Sequence, residues 1–336
     1  MAAKRILITG ANGFVGAWLA RALVARGDDV RCLVRPKSDR SALEGFVQTS
    51  SEKGSGSTIV DGDVTDAPSL EKALDGVHTV FHLAGIRRGA TRDAFMKVNA
   101  EGTRITCEAM VKAGCTRMVY VGSLAATGPS IGGVPRVEDD VPNPQEWYGE
   151  SKGEGEKIAF GFSDRLEITS CRPARIVGPG DHENLTFFKL VKRGMILRIG
   201  GAERKLSFVD VEDVVDQMLL QADKKEAVGQ AFFAASDEFK SVEELMTIVS
   251  QTLKYQARVV VVPELLLTFL GNAADAITNT TGKKLPLNRK LARQLLAPGW
   301  TCRIDKAKRV LGYAPKRTVF DSLVRSGESY VKLGWL

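Results

Sequence analysis

The chain has 336 residues, of which 44% are hydrophobic and 26% are charged, and its formal net charge is +7. These values are typical of a folded protein with a large core, and they exclude disordered and fibrous classes. The positive charges are spread along the chain without a nucleic-acid recognition motif, so we expect no nucleic-acid partner.

The first half of the chain alternates short apolar runs with segments of helical period. Helices are predicted from Phe14 to Gly27, where the glycine ends the first helix, and over about residues 93–113 and 148–160. Six apolar runs predict strands, in chain order KRILIT, VRCLV, STIVDGDV, TVFHLAG, RMVYVGS and LEITSCRPARIVG. Strands that alternate with helices predict parallel βαβ units, and therefore an α/β fold with a doubly wound parallel sheet.

After about residue 180 the alternation loosens, and shorter elements lead into a helical C-terminal third. We therefore expect a Rossmann domain over residues 1–180 and a smaller substrate-binding lobe over 181–336, some of whose segments return to the sheet. The most apolar stretch, residues 259–277, is interrupted by a proline and by acidic residues, which does not fit a membrane span. It predicts a strand followed by a buried helix, with a peripheral membrane contact as the alternative.

Cysteine, histidine and targeting patterns narrow the chemistry and the location. The chain has five widely spaced cysteines without a CxxC pattern and only three histidines. We therefore expect buried free thiols and no metal, rather than a disulfide framework, a structural zinc site or multi-histidine catalysis. The N-terminal sequence MAAKRILITG runs into a strand pattern and shows no signal peptide. We expect a cytoplasmic protein without an integral membrane segment.

A glycine-rich loop follows the first predicted strand and opens the first helix. Its sequence, TGANGFVG, contains three glycines, which permit a tight turn, close approach to a pyrophosphate and close packing of helix on strand. The helix N-terminus then offers N–H groups and a partial positive charge to the phosphates. The candidate cofactor-binding residues of this loop are Gly10, Asn12, Gly13, Phe14, Val15 and Gly16.

The end of the second predicted strand indicates which dinucleotide the site prefers. A site for NAD(H) places an acidic side chain there for the ribose 2′-hydroxyl, whereas this chain has Arg35. Arg35 cannot accept a hydrogen bond from that hydroxyl, but its guanidinium can pair with a 2′-phosphate. The sequence therefore favours NADP(H) as the cofactor, with NAD(H) as the alternative.

Tyr148 and Lys152 form a YxxxK pattern on a predicted helix, and Ser123 follows the strand RMVYVG at its carboxyl end. Residues four apart share a helix face, so the ammonium of Lys152 can lie near the phenol and lower its pKa from about 10. The lowered pKa would let Tyr148 exchange a proton near neutrality, while the Ser123 hydroxyl can hydrogen-bond a substrate oxygen. These three are the candidate catalytic residues.

In this order, the motifs resemble the extended short-chain dehydrogenase/reductase family, in its NAD-dependent epimerase/dehydratase branch. The resemblance covers nearly the whole chain, densely to about residue 215. The segments that carry it are TGANGFVG, GDVTD, HLAG, VNAEGT, GSLAATG, WYGESK, RPARIVGPGD and SFVDVEDVV. The resemblance implies a Rossmann fold, a nicotinamide cofactor, and hydride transfer at a carbon that bears oxygen.

The resemblance also implies roles for individual residues. Tyr148 would move the hydroxyl proton, Ser123 would hold the oxygen, and Lys152 would tune Tyr148 and bind the nicotinamide ribose. Asn99 would have a structural role near the active site, and the helices near Asn99 and Tyr148 would form a homodimer interface, as in many relatives. The other implied cofactor contacts are Asp63 and Val64 with the adenine, Leu83, Ala84 and Gly85 along the fourth strand, and Pro173 and Ile176 beside the nicotinamide.

Two further comparisons with the family separate the reactions that its members catalyse. Dehydratase relatives carry an acidic pair after the serine, whereas this chain has Leu124, Ala125 and Ala126, which disfavours dehydration. The sixth-strand motif reads RPAR and lacks the asparagine of the epimerase form RYFN. This form resembles hydroxysteroid-dehydrogenase-like and dihydroflavonol-reductase-like relatives, as do Arg35 and the segment PGWTCRIDKAKRVLGYAP.

These features favour an NADP(H)-dependent oxidoreductase that acts on a small-molecule ketone or secondary alcohol. The alternative is a nucleotide-sugar epimerase with transient hydride transfer and no net redox, and a third hypothesis is a regulatory protein that senses the cofactor without turnover. Arg175 could meet an acidic substrate group, although an outward-facing charge is the more common arrangement. Apolar side chains that could line the substrate pocket, or else pack in the core, are Leu124, Trp147, Phe187 and Phe188.

Overall fold

The computed structural model describes residues 5–49, 56–281 and 289–336 of the chain. Its strands, numbered in chain order, are β1 (Arg5–Thr9), β2 (Asp29–Val34), β3 (Gln48–Thr49), β4 (Thr58–Asp61), β5 (Thr79–His82), β6 (Arg117–Val121), β7 (Glu167–Pro173), β8 (Arg175–Val177), β9 (Met195–Ile199), β10 (Leu206–Asp210), β11 (Ala231–Ala234), β12 (Phe239–Lys240) and β13 (Arg258–Val262). Eight of them form a central sheet in the order β11-β7-β6-β5-β1-β2-β4-β3, and every pairing in it is parallel. This sheet confirms the expected α/β fold with a doubly wound parallel sheet.

Helices cover both faces of the sheet and build most of the C-terminal part of the chain. Numbered in chain order, they are α1 (Phe14–Arg26), α2 (Ala67–Ala73), α3 (Arg92–Phe95), α4 (Gly102–Ala113), α5 (Leu124–Thr127), α6 (Trp147–Phe160), α7 (Leu185–Lys192), α8 (Val211–Asp223), α9 (Val242–Leu253), α10 (Glu264–Thr281), α11 (Arg289–Leu296), α12 (Asp305–Leu311) and α13 (Val319–Lys332). The predicted helix over residues 93–113 is present, but its middle, Met96–Glu101, is a π-helix. Such wide turns are frequent at functional sites, and this one contains the buried Asn99.

All six predicted strands are present, but the sixth is divided. It stops at Pro173 as β7 in the main sheet and resumes at Arg175 as β8, which pairs with β10 in a separate three-stranded sheet. The amide of Ala174 donates to the carbonyl of Ala234 in β11 at 2.9 Å, and there the chain leaves the main sheet. Because Pro173 has no N–H with which to extend the ladder, the strand is interrupted at this point. The expectation of one continuous sixth strand is therefore wrong.

Apolar side chains pack on both faces of the main sheet. On one face α1 and α8 contribute Leu23 and Met218 to a buried cluster, and on the other α4 and α6 contribute Met110 and Ala159. The strands between these layers are buried on both sides, which explains their continuous apolar runs. Because β1, β5 and β6 are parallel neighbours, their carboxyl ends form one edge of the sheet, where the glycine-rich loop and Ser123 lie.

The C-terminal part of the chain builds a smaller lobe with its own core. Its two small sheets, β12-β10-β8 and β13-β9, accompany α7, α9 and α13, and the cluster between them includes Phe188, Phe208 and Leu245. The same part of the chain also returns to the main sheet, because β11 pairs with β7 and α8 packs against α1. Elements of the main sheet and elements of the smaller lobe thus alternate along the sequence.

The apolar stretch at residues 259–277 forms most of β13 and α10, a strand and then a helix as predicted. The predicted burial of this helix is wrong, because Leu265 is 86% exposed and Phe269 is 67% exposed. Among the side chains of α10 that the structure describes, Leu267 and Ala274 are buried, and the helix contacts its neighbour α11. Among the described residues, no helix is both long enough and apolar enough to cross a membrane.

The five cysteines lie in the described part of the chain, and all of them are buried and unpaired, as expected. Burial raises the pKa of the Cys32 and Cys107 thiols to about 12, which makes them unreactive. Over residues 5–49, 56–281 and 289–336, no group of three or more His, Cys, Asp or Glu side chains converges in the manner of a metal site.

Candidate active site

The glycine-rich loop has the close contacts that its spacing predicts. Gly10 has φ +70°, and a Cβ added there would lie 2.9 Å from the amide nitrogen of Ala84. A Cβ at Gly16 would lie 2.2 Å from the carbonyl oxygen of Gly10, so helix and loop meet without room for a side chain. Gly13 is the N-cap of α1, and its amide donates to the Gly10 carbonyl at 3.1 Å. The loop and the first turn of α1 fit the pyrophosphate of a dinucleotide.

A cavity of about 850 Å³ opens between this edge of the sheet and the smaller lobe. Most of the predicted site residues line it, namely Gly10, Gly13, Phe14, Val15, Gly16, Leu83, Gly85, Ser123, Tyr148, Lys152, Pro173 and Ile176. The structure therefore brings the glycine-rich loop, the fourth-strand motif and the three candidate catalytic residues to one wall.

Five predicted cofactor residues do not line the cavity: Asn12, Arg35, Asp63, Val64 and Ala84. Arg35 is exposed directly after β2, and Asn12 Nδ2 donates to the Asp39 carbonyl at 2.9 Å on the same loop. Asp63 Oδ1 accepts hydrogen bonds from the amide and the hydroxyl of the nearby Thr65. The side chain of Val64 is packed in the sheet core, and the Ala84 amide donates to Thr9 Oγ1 at 3.1 Å. Their contacts with a cofactor stay predictions.

Ser123, Tyr148 and Lys152 are brought together by the packing of α5 on α6. Ser123 caps α5, its Oγ accepting from the Ala125 amide at 3.1 Å, and its hydroxyl is close enough to Tyr148 to lower the pKa of the phenol. A Cβ at Gly149 would lie 2.3 Å from the Ala125 carbonyl oxygen, so only glycine lets α6 approach this closely. Lys152 follows one turn later on α6 and is only 4% exposed.

The electrostatics of the phenol differ from those predicted from the YxxxK spacing. Burial raises the pKa of Tyr148, and the largest opposing effects come from the Arg87 cation and then from the Ser123 hydroxyl. The Cζ atom of Arg87 lies 5.8 Å from the centroid of the Tyr148 ring. Arg87, rather than Lys152, is thus the leading cation at the phenol. Sequence reasoning missed Arg87, although its position shortly after β5 places it at the edge where ligands bind.

Lys152 is a buried cation with few polar neighbours. Burial lowers the pKa of its ammonium to about 8, while the carboxylate of Glu156 opposes this shift. Its Nζ lies 4.5 Å from the centroid of the Tyr120 ring, a cation–π contact. Glu156 is itself held by Ser170 Oγ and by the guanidinium of Arg172, and is therefore largely neutralised.

Asn99 joins the loop after β5 to α6. Its Oδ1 accepts from the Ile86 amide at 2.7 Å, and its Nδ2 donates to the Ile86 carbonyl at 3.0 Å and to Ser151 Oγ at 2.8 Å. The fully buried amide thus holds the segment that carries Arg87 against the helix that carries Tyr148. This arrangement agrees with the structural role expected for Asn99.

The lobe side of the cavity combines apolar and charged side chains. Leu124 and Phe187 line it as expected, whereas Phe188 is fully buried in the lobe core, edge-on to Tyr330 at 4.9 Å between ring centroids. Trp147 is not part of the lining either. Phe188 lies next to Phe187 on α7, so the two side chains point to different sides of the helix. Lining residues that sequence reasoning missed include Leu206, Val242, Leu295 and Trp300.

Comparison with known proteins identifies the family. The family model described as "NAD dependent epimerase/dehydratase family" matches residues 6–234. The chain belongs to this family. Membership confirms the expected resemblance and enzyme class, an NAD-dependent oxidoreductase of the extended short-chain dehydrogenase/reductase type.

The relatives that are similar over nearly the whole chain are named for different reactions. A ceramide reductase of Caulobacter vibrioides is 27% identical over 98% of this chain and 96% of its own length. A 3-beta-hydroxysteroid dehydrogenase of Mycolicibacterium neoaurum is 28% identical over 98% of this chain and 92% of its own. A UDP-glucose 4-epimerase of Vibrio cholerae is 23% identical over 98% and 96%.

Solved structures with the same fold include gox2253, with a TM-score of 0.82 and 27% identity over 98% of this chain and 99% of that one. MoeE5, solved in complex with UDP-glucose and NAD, has a TM-score of 0.76 and 22% identity over 98% and 99%. At 22% identity, the similarity to MoeE5 shows the fold alone.

Proposed function

We propose that the protein is an NADP(H)-dependent oxidoreductase that interconverts a ketone and a secondary alcohol, with Ser123, Tyr148 and Lys152 as catalytic residues. The observation that carries this proposal is that Ser123, Tyr148 and the buried Lys152 line one cavity together with the glycine-rich loop. Apolar side chains on the lobe side, among them Phe187, Leu206 and Trp300, suit an apolar part of a substrate. Relatives named as a ceramide reductase and a 3-beta-hydroxysteroid dehydrogenase support the same reaction type.

The proposed roles follow from the positions of the three side chains. When bound, the nicotinamide supplies or accepts a hydride at the carbon that bears oxygen. In the reductive direction Tyr148 gives its phenolic proton to the carbonyl oxygen, which becomes a hydroxyl; in the oxidative direction the tyrosinate takes that proton back. Ser123 holds the same oxygen by a hydrogen bond, the Arg87 cation favours the tyrosinate, and Lys152 binds the nicotinamide ribose.

The cofactor preference and the division of the chain are part of the same proposal. Arg35 is exposed directly after β2, and a guanidinium that can pair with a 2′-phosphate supports a preference for NADP(H) over NAD(H). We assign cofactor binding to residues 1–180 and substrate binding to 181–336, with β11 and α8 returning to the main sheet.

A nucleotide-sugar epimerase is the second candidate. The similarity to the UDP-glucose 4-epimerase of Vibrio cholerae over 98% of this chain favours it. Such an enzyme would use the same three residues, with the hydride returning to the other face of the substrate carbon. It would therefore consume no net cofactor.

Absorbance of the reduced nicotinamide separates the two candidates. The protein would be mixed with NADPH or NADH and with ketones, aldehydes and keto-steroids, while nucleotide sugars run in parallel with product separation by chromatography. Loss of NADPH with a carbonyl compound supports the oxidoreductase. Isomerisation of a nucleotide sugar without loss of NADPH supports the epimerase instead. Turnover of either kind eliminates a purely regulatory role.

We expect Tyr148→Phe to lower turnover by about 10²–10⁴-fold, because it removes the proton donor and acceptor. Affinity for NADPH, measured by fluorescence titration, should stay within about twofold of wild type. Tyr255→Phe, which removes an equivalent hydroxyl from a side chain that is 42% exposed, is the matched control. Full activity in Tyr148→Phe would show that another group exchanges the proton.

We also propose that the protein acts in the cytoplasm as a homodimer through α4 and α6. The five buried free thiols support a reducing compartment. Light scattering after size exclusion would distinguish the dimer from the 36.4 kDa monomer. Cell fractionation would test the location.

A further inference from the structure

Two arginines line the same cavity as the proposed catalytic tyrosine. Arg87, on the loop after β5, has its Cζ 5.8 Å from the centroid of the Tyr148 ring. Arg175, at the start of β8, has its Cζ 5.0 Å from the centroid of the Phe187 ring. They come from separate segments, and the break of the sixth strand after Pro173 is what directs β8 toward the lobe.

The charge of Arg175 is not matched by a carboxylate at close range. Its Nε donates to the amide oxygen of Asn184 at 2.7 Å, and its Nη2 donates to the carbonyl of Glu183 at 3.4 Å. Within the described ranges it makes no ion pair at 4.0 Å or less. Two other arginines of the same cavity, Arg198 and Arg204, are in contrast paired with glutamates of α9 and α10.

Arg87 is only weakly neutralised. Its Nη1 lies 3.7 Å from Glu183 Oε1, and the same oxygen accepts a shorter hydrogen bond, 3.1 Å, from Arg88. The other nearby acid, Asp181, accepts hydrogen bonds from the Glu183 and Asn184 amides, the Asn184 side chain and the Tyr330 hydroxyl. Neither carboxylate is therefore free to neutralise both guanidiniums.

The two guanidiniums also influence each other. Desolvation lowers the pKa of Arg175, Asp181 and Glu183 oppose this, and the positive charge of Arg87 lowers it further. Two like charges that line one cavity disfavour each other, and an anion that contacts both relieves this repulsion. Planar guanidinium groups are well suited to bind the two oxygens of a carboxylate or a phosphate.

We propose that Arg87 and Arg175 form an anion subsite that binds a carboxylate or phosphate group carried by the substrate, near the carbon that reacts. The proposal rests on the proposed function, because it places the reacting carbon at Tyr148. It makes the substrate an amphipathic anion, with its apolar part against Phe187 and Leu206 and its charged group at the two arginines.

The test compares an anionic probe with its neutral counterpart. Calorimetry would measure the binding of 4-oxodecanoate and of its methyl ester to the full-length protein loaded with NADP⁺, which cannot reduce either ketone. We expect the acid to bind about tenfold more tightly than the ester, as is typical of a charge-assisted hydrogen bond. The subsite would be overturned if wild type bound the acid and the ester with equal affinity and bound UDP-glucose no more tightly than the variants do.

The variants Arg87→Gln and Arg175→Gln remove one positive charge each, and each should bring the acid-to-ester affinity ratio close to one. Arg175→Lys, which keeps the charge, should retain part of the preference. Arg198→Gln is the matched control, since it removes an equal but paired charge from the same cavity and should leave the ratio unchanged. If the ratio and the affinity for UDP-glucose are both unchanged in Arg87→Gln and in Arg175→Gln, the proposal is overturned. The exposed Arg87 keeps the test valid if Arg175→Gln fails to fold.

UDP-glucose distinguishes the two sources of the anion. If Arg87→Gln and Arg175→Gln weaken UDP-glucose rather than 4-oxodecanoate, the subsite holds a phosphate and the epimerase reading gains support. Turnover is measured separately from binding. Loss of turnover with an intact acid preference would contradict the proposed function but not the subsite.

Discussion

The buried ammonium of Lys152 has a cost for the folded protein. The side chain is 4% exposed, and burial lowers its pKa from 10.5 to about 8. The charged form is therefore less favourable in the folded state than in the unfolded state. Below pH 8 both states carry the proton, and the folded state bears the whole penalty. Between pH 8 and 10.5 the unfolded state binds more protons, so stability due to this group rises with pH.

We expect Lys152→Met to raise the free energy of unfolding at pH 7 by about 1–3 kcal/mol, as replacement of buried charges by apolar side chains often does. The gain should shrink between pH 8 and 10.5, where the wild-type lysine loses its proton. Turnover should fall sharply in the same variant, because the active site trades stability for function. Urea denaturation of wild type and variant at pH 7 and at pH 10 measures the difference in the free energy of unfolding at each pH. A variant less stable than wild type at pH 7 would show that the ammonium is stabilised in place.

At the residue scale, the three candidate catalytic residues were predictable because each depends on a local rule. Tyr148 and Lys152 are four positions apart on one helix, and Ser123 directly follows a strand, so both spacings are short. Arg87 depends instead on the path of the loop after β5. Hydrogen bonds of Asn99 to Ile86, thirteen positions away along the chain, help to fix that path. Contacts of this kind cannot be predicted from spacing alone.

Among the elements, the first β-strand, its glycine-rich loop and α1 form the most constrained unit of the site. A Cβ at Gly16 would lie 2.2 Å from the Gly10 carbonyl oxygen, which is backbone and cannot rotate away. We expect Gly16→Ala to weaken NADPH binding at least tenfold and to destabilise the protein by about 1–3 kcal/mol, because the loop must shift. Fluorescence titration and thermal denaturation measure the two effects.

Gly27→Ala provides the control for that prediction at the other end of α1. Gly27 has φ +87°, and a Cβ there would meet nothing within 4 Å. The substitution should destabilise the protein by about 1 kcal/mol through backbone strain while leaving NADPH affinity unchanged. If both variants lost affinity equally, general destabilisation of α1 would explain the result rather than the shape of the loop.

Element type was predictable wherever apolar periodicity was strong, and it failed where backbone geometry intervened. The strands of the main sheet match their apolar runs because both faces are covered by helices. The π-helix at Met96–Glu101 and the break after Pro173 have no periodic signal of their own. The break moves Arg175 from the main sheet toward the lobe, so one missed detail changes the composition of the site.

At the scale of the whole molecule, the cavity is assembled from residues that are far apart in sequence. Its wall runs from Gly10 near the start of the chain to Trp300 near the end. Their meeting depends on how the lobe packs over the sheet, which no local pattern encodes. This is why Phe187 and Phe188 could not be told apart from the sequence, and why the exposed face of α10 resembled a buried helix.

The cofactor site exists only in the folded state, because its residues come from distant parts of the chain. Cofactor binding must therefore stabilise the folded protein against unfolding. A ligand at one hundred times its Kd adds about 2.7 kcal/mol, and a tenfold difference in Kd between two ligands at saturating concentrations is about 1.4 kcal/mol. If Arg35 holds a 2′-phosphate, NADPH should raise the Tm by roughly 3 °C more than an equal concentration of NADH.

Arg35→Asp should abolish or reverse this difference, because the new carboxylate repels a 2′-phosphate and accepts a hydrogen bond from a 2′-hydroxyl. Lys189→Asp changes the net charge equally on an exposed part of α7, and it should preserve the wild-type order of the two cofactors. Differential scanning fluorimetry with both cofactors on the three proteins gives the comparison. Equal shifts of the Tm by NADPH and NADH in wild type would show that the protein does not prefer NADP(H). Arg35 would then have no role in cofactor discrimination.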